Sequence, residues 1–248
     1  HNKLRYMTVL IACLISHSVS QAASEKVIAE SGTSKVALLE LYSSESCSSC
    51  PPADQWISKF ESHKDLWSTF VPVVFHVDYW NHLSWKDEMS SSEMTARQVA
   101  ISKTWTQPAV YTPAVILNGL QWRAWRESKL ENRLVKDGSN LTLSIVQDST
   151  GLYRVQVSGQ TPGVKYIVHI AKLGMGMSSR ITDGENSGKT LSHSFVVLDW
   201  QNQKLGPASA TNPVKFAANK HRVEKYAVVA WIEEVGSHIA LQATGAFL

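Results

Sequence analysis

The sequence predicts an α/β domain followed by an all-β, sandwich-like domain. Up to about residue 137, apolar β-branched runs alternate with segments of helical spacing, which is the order of a strand–helix–strand unit. From residue 140 onward, short runs alternate between apolar and polar residues and are separated by glycine-containing turns, as in β-sandwiches. We therefore assign the α/β domain to residues 34–137 and the sandwich-like domain to residues 140–248.

The α/β domain opens with a strand, a Cys-x-x-Cys motif and a helix. The apolar run Val36–Leu41 predicts a buried strand, and the apolar spacing of Ala53–Phe60 predicts a helix. Cys47 and Cys50 therefore lie where the strand passes into the helix. Unbonded backbone N–H groups and the positive end of the helix dipole favour a thiolate over a thiol at such a junction. This position favours a reactive pair of thiols.

The Cys-x-x-Cys pair has three interpretations, of which redox chemistry is the one we prefer. A zinc site normally needs four ligands and a second pair of cysteines, and the chain has only three cysteines. A purely structural disulfide would close a very short loop and would constrain the unfolded chain little. Metal binding and an inert disulfide nevertheless stay open. Pro51 and Pro52 fit the first helical turn, where a missing N–H costs nothing.

Four further elements complete the first domain. They are a buried strand over 71–80, a helix over 93–105, a hairpin over 110–120 and a closing helix over 122–136. Ser92 is the expected N-cap of the second helix. The first two strands should be parallel, because a helix connects them.

Polar side chains at the end of the second strand are candidates to support the cysteines. His76, Asp78 and Trp80 share one face near its carboxyl end, where chemistry collects in parallel sheets. Together with His82, His76 and Asp78 could bind a transition metal beside the sulfurs. Alternatively, His76 and Asp78 could hydrogen-bond within the core or tune the reactivity of the cysteines. Asp54, one helical turn after the second cysteine, is either the proton acceptor for that thiol or an ordinary first-turn acid.

Six short segments carry a resemblance to a known family. They are ELYSSESCSSCPPAD at 40–54, FHVDYW at 75–80, WKD at 85–87, TARQ at 95–98, VYTP at 110–113 and GENSGKTLSHSFVV at 184–197. Together they resemble a family of secreted bacterial proteins known as domain of unknown function number 1223. The order of elements in the first half also resembles the thioredoxin fold. The resemblance therefore implies a thioredoxin-like first domain, and it implies no particular activity.

The resemblance also gives Thr112 and Pro113 a role. In thioredoxin-like proteins the peptide bond before this proline is cis, and the proline faces the two sulfurs. The preceding backbone is then free to pair with an extended substrate. A cis X–Pro bond costs only about 0.5–1 kcal/mol relative to trans. Without the cysteine pair, a trans proline at the start of a strand would be the expectation.

The N-terminal residues 1–23 predict an export signal. A basic start, an apolar stretch over 6–15 and a small-x-small pattern at 20–22 are typical of one. The apolar stretch is too short to span a bilayer, so we expect no stable membrane insertion after its removal. The alternative is a lipoprotein box with Cys13 acylated. A periplasmic or secreted protein with one remaining cysteine pair suits an oxidising compartment.

Charge and motifs together lead to one functional hypothesis. The formal charge is +3 over 248 residues with no basic run, which argues against nucleic acid as a partner. We expect a thiol–disulfide oxidoreductase that acts on the thiols or disulfides of exported proteins, without cofactor or metal. Cys47 is the expected exposed nucleophile, Cys50 the resolving thiol, and Pro113 lies beside them. The alternatives are a metal-handling or sensor module that uses the cysteines with His76, and a non-catalytic interaction domain.

Overall fold

The computed structural model describes residues 25–135 and 137–248. The predicted export signal and Cys13 lie outside these residues. The strands are β1 (Lys26–Glu30), β2 (Ala37–Ser43), β3 (Phe70–His76), β4 (Ala114–Leu117), β5 (Leu120–Gln121), β6 (Thr142–Gln147), β7 (Tyr153–Ser158), β8 (Tyr166–Met175), β9 (Met177–Arg180), β10 (Thr190–His193), β11 (Val196–Lys204), β12 (Lys225–Glu234) and β13 (Ala240–Phe247). The helices are α1 (Pro51–Ser58) and α2 (Ser92–Ser102), with short 3₁₀ helices at Lys59–Ser62 and Leu130–Asn132.

The predicted fold class, an α/β thioredoxin-like domain followed by a sandwich-like domain, is wrong. The structure is mostly β, with 40% strand and 12% helix, and its described residues contain only two α-helices. Strands from both segments form one mixed eight-stranded sheet in the order β13-β12-β8-β11-β3-β2-β4-β5. The first segment therefore contributes one half of a large sheet, and the second segment contributes the other half.

A single parallel pairing joins the two halves of this sheet. β11 runs parallel to β3 with Val196 opposite Val74, and the Val74 N–H donates to the Phe195 carbonyl at 2.8 Å. On its other side, β3 pairs in parallel with β2, as predicted. An alternating pattern shows that a segment is a strand but does not identify its neighbour, so the sequence could not reveal this junction.

The predicted closing helix over 122–136 is also absent from the described residues. The chain there forms turns and the short 3₁₀ helix at Leu130–Asn132. Trp122 and Trp125 are buried against Trp56 of α1, with ring centroids 5.7 and 5.1 Å away. Packing of these two rings on one partner takes precedence over the weak helical preference of the segment.

Other local predictions are confirmed, except that the N-cap of α2 is Ser91 and not Ser92. α1 begins at Pro51, and α2 begins one residue earlier than expected, with the Ser91 hydroxyl accepting the Met94 N–H. The β4–β5 hairpin turns at Asn118 and Gly119, which have φ values of 50° and 83°. A side chain at position 119 would also meet the His238 carbonyl oxygen at 2.3 Å, so only glycine fits.

Two hydrophobic cores lie on opposite faces of the large sheet. The three-stranded sheet β1-β6-β7 covers one face, where it contacts β12 and β13. Alternate residues of β12 enter each core, so Val228 and Ala230 face the small sheet while Val229 and Trp231 pack with the core that contains α1. β12 is therefore buried on both faces along most of its length.

A buried ion network ties α2 to both halves of the sheet. The Arg97 guanidinium donates to Glu40 of β2 at 2.9 Å and to Glu233 of β12 at 2.7 Å. Burial opposes the charge on Glu233, yet Arg97 and His169 hold the pKa of its carboxyl well below the usual range. All three side chains of the network are almost fully buried, so removing Arg97 would leave two buried carboxylates without their countercharge.

His169 is a neutral histidine at the centre of this region. Its ring stacks on Trp231 at 4.7 Å, and its Nδ1 accepts the Trp200 indole N–H at 3.1 Å. Burial lowers the pKa of His169 to about 4, against the opposing effect of Glu233. A second proton on the His169 ring would sit on Nδ1 and point at the Trp200 N–H. This ring therefore resists protonation.

We expect the protein to lose stability as the pH falls from about 6.5 towards 4. In this window the unfolded His169 binds a proton that the folded His169 does not, so the free energy of unfolding should drop by up to about 3 kcal/mol. Urea unfolding at a series of pH values measures the slope. The His169→Gln variant should show a flatter dependence of the unfolding free energy on pH, whereas the control His82→Gln, at an exposed position, should keep the wild-type slope. An unchanged slope in His169→Gln would contradict the assignment of this pH dependence to His169.

Candidate functional site

The sheet topology brings three chain segments together at one end of β2 and β3. Ser43, the last residue of β2, lies opposite His76, the last residue of β3. β11 starts beside the end of β3, so His193, which ends β10 just before it, lies next to His76 with ring centroids 5.1 Å apart. The loop that carries the cysteines leaves β2 at this same point.

Cys47 and Cys50 are joined by a disulfide in the loop between β2 and α1. Both are buried, Cys47 with 3% and Cys50 with 0% of its surface exposed, so Cys47 is not the exposed residue that we expected. Ser48 and Ser49 between them are exposed. The Ser49 hydroxyl lies 3.4 Å from the Cys47 sulfur, close enough to act as a weak hydrogen-bond donor.

The start of α1 offers the sulfurs fewer backbone donors than expected. Cys50 is the N-cap residue, and the next two positions are Pro51 and Pro52, which have no N–H. The Ala53 N–H already donates to the Cys50 carbonyl at 2.8 Å. The expected stabilisation of a thiolate by unbonded helix N–H groups is therefore wrong for this turn, and only the helix dipole remains.

A turn at residues 184–189 from the second half holds the cysteine loop in place. The Glu185 carboxylate accepts the Ser48 N–H at 3.1 Å. The buried Asn186 amide donates to the carbonyls of Glu45 and Cys47, at 2.9 and 3.0 Å. We assigned no site residue to this half from the sequence; the GENSGKTLSH segment, which carries part of the family resemblance, was the available signal that it reaches the cysteines.

Five ionisable side chains form a buried cluster beside the disulfide loop. His76 Nδ1 lies 2.6 Å from an Asp87 carboxylate oxygen, and His193 lies 3.2 Å from Glu45 and 3.9 Å from Asp54. All five are at most 4% exposed. From the sequence, His76 and Asp54 are candidates to support the cysteines, and His193 is assigned to a structured turn unless that turn packs over the sulfurs. Glu45 and Asp87 are not singled out, because their positions depend on the tertiary structure around the cysteine loop and the loop after β3.

Mutual electrostatics shift several pKa values in this cluster. Burial alone would lower the pKa of His193, but Asp54 and Glu45 override it and raise the pKa to about 10. Burial would raise the pKa of the Asp87 carboxyl, yet the adjacent His76 lowers it. Likewise, His193 lowers the pKa of Glu45 despite its burial. The cluster therefore favours the ionised forms of Glu45 and Asp87 and attracts positive charge.

Two other predicted site residues, Asp78 and Trp80, do not join the cluster. Asp78 accepts the Thr95 hydroxyl of α2 at 2.5 Å, and the Trp80 indole donates to the Thr112 hydroxyl at 2.7 Å. The Thr112–Pro113 bond is cis, as the resemblance implied.

Pro113 and His82 have surroundings of their own. Pro113 lines an open pocket that neither cysteine lines. The exposed His82 bonds to the Tyr79 carbonyl, so it does not complete a site with His76 and Asp78.

Comparison with known proteins identifies a family and two structural neighbours. A profile of the family described as "Protein of unknown function (DUF1223)" matches residues 38–233. A structural-genomics target protein from Agrobacterium tumefaciens is similar with 24% identity and a TM-score of 0.58, over 85% of this chain and 94% of that one. HBP35 of Porphyromonas gingivalis is similar with 13% identity and a TM-score of 0.52, over 87% and 76%. No curated protein matches the chain. At these identities the two structures support the fold alone.

Asn186→Ala should destabilise the protein and loosen the cysteine loop. Two buried carbonyls, those of Glu45 and Cys47, would lose their donor, which should lower the free energy of unfolding by about 2–3 kcal/mol. Urea unfolding and the rate of disulfide reduction by dithiothreitol measure the two effects. Ser187→Ala, at an exposed position of the same turn, is the matched control; equal stability of both variants would show that the turn does not brace the loop.

Proposed function

Because this chain belongs to the DUF1223 family, described as proteins of unknown function, we propose its function from its own site: thiol–disulfide exchange through Cys47 and Cys50. The observation that carries this proposal is a disulfide between cysteines three positions apart, in a loop that other contacts already hold in place. A bridge this short adds little stability, so a structural purpose explains it poorly. We therefore assign the disulfide a role in chemistry and not in stability.

The bracing of the loop suits a bond that opens and closes. Asn186 and Glu185 fix the loop through the Cys47 carbonyl and the Ser48 N–H, and neither contact involves a sulfur atom. Reducing the disulfide therefore need not release the loop, and the two sulfurs stay near each other. When one sulfur of a dithiol kept in place has entered a mixed disulfide, the other attacks it rapidly, which reforms the internal disulfide and releases the substrate thiolate.

The surroundings of the two sulfurs suggest the order of the steps. Cys47 keeps a little exposure beside the exposed residues Ser48 and Ser49, whereas Cys50 has none. We assign attack on the substrate disulfide to the Cys47 thiolate, which forms a mixed disulfide and releases one substrate thiolate. The Cys50 thiolate then attacks the Cys47 sulfur, which forms the intramolecular disulfide and releases the second substrate thiolate. Two electrons pass to the substrate, and the reverse sequence oxidises a substrate dithiol.

The substrates we propose are exported proteins in an oxidising compartment. The signal-like segment 1–23 and the single remaining cysteine pair motivate this location. Among the described residues, no helix has the length and apolar character needed to cross a membrane. N-terminal sequencing of the protein from its native host should find a chain that starts near residue 24. A cytoplasmic chain that retains the segment would exclude this location.

Cys50→Ser should trap a covalent partner, whereas Cys47→Ser should not. Without Cys50, the mixed disulfide on Cys47 has no internal thiol to resolve it. Without Cys47, the remaining thiol is fully buried and attacks no substrate. Non-reducing electrophoresis of extracts from the native compartment should show high-mass bands that a reductant removes, for the first variant only.

The double variant with serine at both positions is the control for trapping. Equal trapping by the two single variants would mean that the assigned order is wrong. Absence of trapping, together with a reduction potential below about −300 mV for the wild-type pair, would identify an inert structural bond; a working pair should lie above about −270 mV.

A further inference from the structure

We infer that Asp54, His76 and His193 form a binding site for one divalent transition-metal ion. One oxygen or nitrogen atom from each residue lies within 4.8 Å of the others. This inference does not rest on the proposed disulfide chemistry, because neither cysteine sulfur belongs to the group of three. The site would lie beside the disulfide loop, in the buried cluster described above.

Unpaired imidazole nitrogens are the observation that points to a ligand. His76 Nε2 and both ring nitrogens of His193 are buried without an aligned hydrogen-bond partner. The two residues are 0% and 2% exposed, so their ring nitrogens have little contact with bulk solvent. A buried polar atom without a partner is destabilising, and a bound ion would remove that penalty.

The tautomer of His76 is fixed by Asp87. This carboxylate accepts the backbone N–H groups of Glu45 and Met89, each at 2.9 Å, and lies 2.6 Å from His76 Nδ1. Because a carboxylate held in this way only accepts, Nδ1 carries the proton and the lone pair of Nε2 points into the cluster. A histidine whose second nitrogen donates to a carboxylate is the usual arrangement around protein-bound metals.

His193 lies between two carboxylates. Its Nε2 lies 3.2 Å from Glu45, which leaves Nδ1 facing an Asp54 carboxylate oxygen at 3.9 Å. That distance is too long for a hydrogen bond but suits two ligands of one ion, which lie about 3.3–4.1 Å apart when each bond is about 2.05 Å. The second oxygen of Asp54 accepts the Ser43 hydroxyl at 2.8 Å, which orients the carboxylate.

Charge in the cluster also favours a cation. Three carboxylates, those of Glu45, Asp54 and Asp87, face two imidazoles, so the carboxylates outnumber them even when both rings are protonated. In the part of the chain that the structure describes, no lysine or arginine is ion-paired with these five side chains. A divalent ion would offset the remaining negative charge without a further protein group.

The donor set and an adjacent cavity define the kind of ion and its access. Two imidazoles and one carboxylate suit zinc and neighbouring transition metals better than calcium or magnesium. A cavity of about 100 Å³ between α1 and β10 is lined by Asp54 and His193 together with Pro51, Gln55 and Thr190. It provides a route for the ion and room for a water molecule as a fourth ligand.

Zinc titration of the chelator-treated, tag-free protein in its disulfide form tests the site. Isothermal calorimetry should find one zinc ion per chain, and X-ray absorption should show nitrogen and oxygen ligands without sulfur. Asp54→Asn, His76→Gln and His193→Gln should each weaken binding more than about 100-fold. Asp87→Asn, which only orients His76, should weaken it about 10–100-fold.

Three control variants separate this site from incidental binding. His169→Gln changes a buried histidine outside the cluster, His82→Gln changes an exposed one, and the double cysteine-to-serine variant removes both sulfurs; all three should bind zinc like the wild type. Near-ultraviolet circular dichroism reports whether each variant folds. If a histidine variant does not fold, the zinc affinity of Asp54→Asn decides the test, because asparagine keeps the size of the aspartate side chain.

Three outcomes would overturn the inference. The first is a wild-type protein that binds clearly less than one zinc ion per chain, which would mean that the cluster holds only protons. The second is unchanged affinity in a folded Asp54→Asn variant. The third is loss of zinc in the double cysteine variant with sulfur seen by X-ray absorption, which would place the ion on the cysteines.

Discussion

The parallel pairing of β11 with β3 is the constraint on which the rest of the structure depends. It joins four strands from each half into one sheet through a bond from the Val74 N–H to the Phe195 carbonyl. Because β11 starts beside the end of β3, and β3 pairs with β2, the residues just before β11 also lie near the end of β2. Without this pairing, neither His193 nor the turn at 184–189 would reach the cysteine loop.

The disulfide and the buried cluster share a support, although they differ in chemistry. Cys50 is the N-cap of α1, which carries Asp54 one turn later, and the loop before α1 carries both Glu45 and Cys47. The turn at 184–189 then holds that loop from outside through Asn186. A movement of α1 or of this turn would therefore alter the sulfurs and the cluster together, which makes mechanical coupling between them a property of the architecture.

Local features were predictable from the sequence, and long-range ones were not. The position of Pro51 at the start of α1 and the Asn118-Gly119 hairpin follow from short-range backbone preferences, so a few residues sufficed to predict them. The sequence also indicated the cysteine pair and His76. The importance of His193 depends on pairing between distant strands, and the missing helix over 122–136 depends on tryptophan packing, which no local pattern encodes.

The parallel pairing of β11 with β3 also has a consequence for the order in which the chain folds. All seven residues of β3 are buried in the finished sheet, yet one edge of this strand stays unpaired until β11 has been synthesised. A nascent chain that has reached only the hairpin after β3 exposes an apolar strand edge, which is the type of surface that recruits other unfolded chains. Productive folding is therefore a late event for this protein. Any cellular factor that holds the chain extended until its last third emerges would act in its favour.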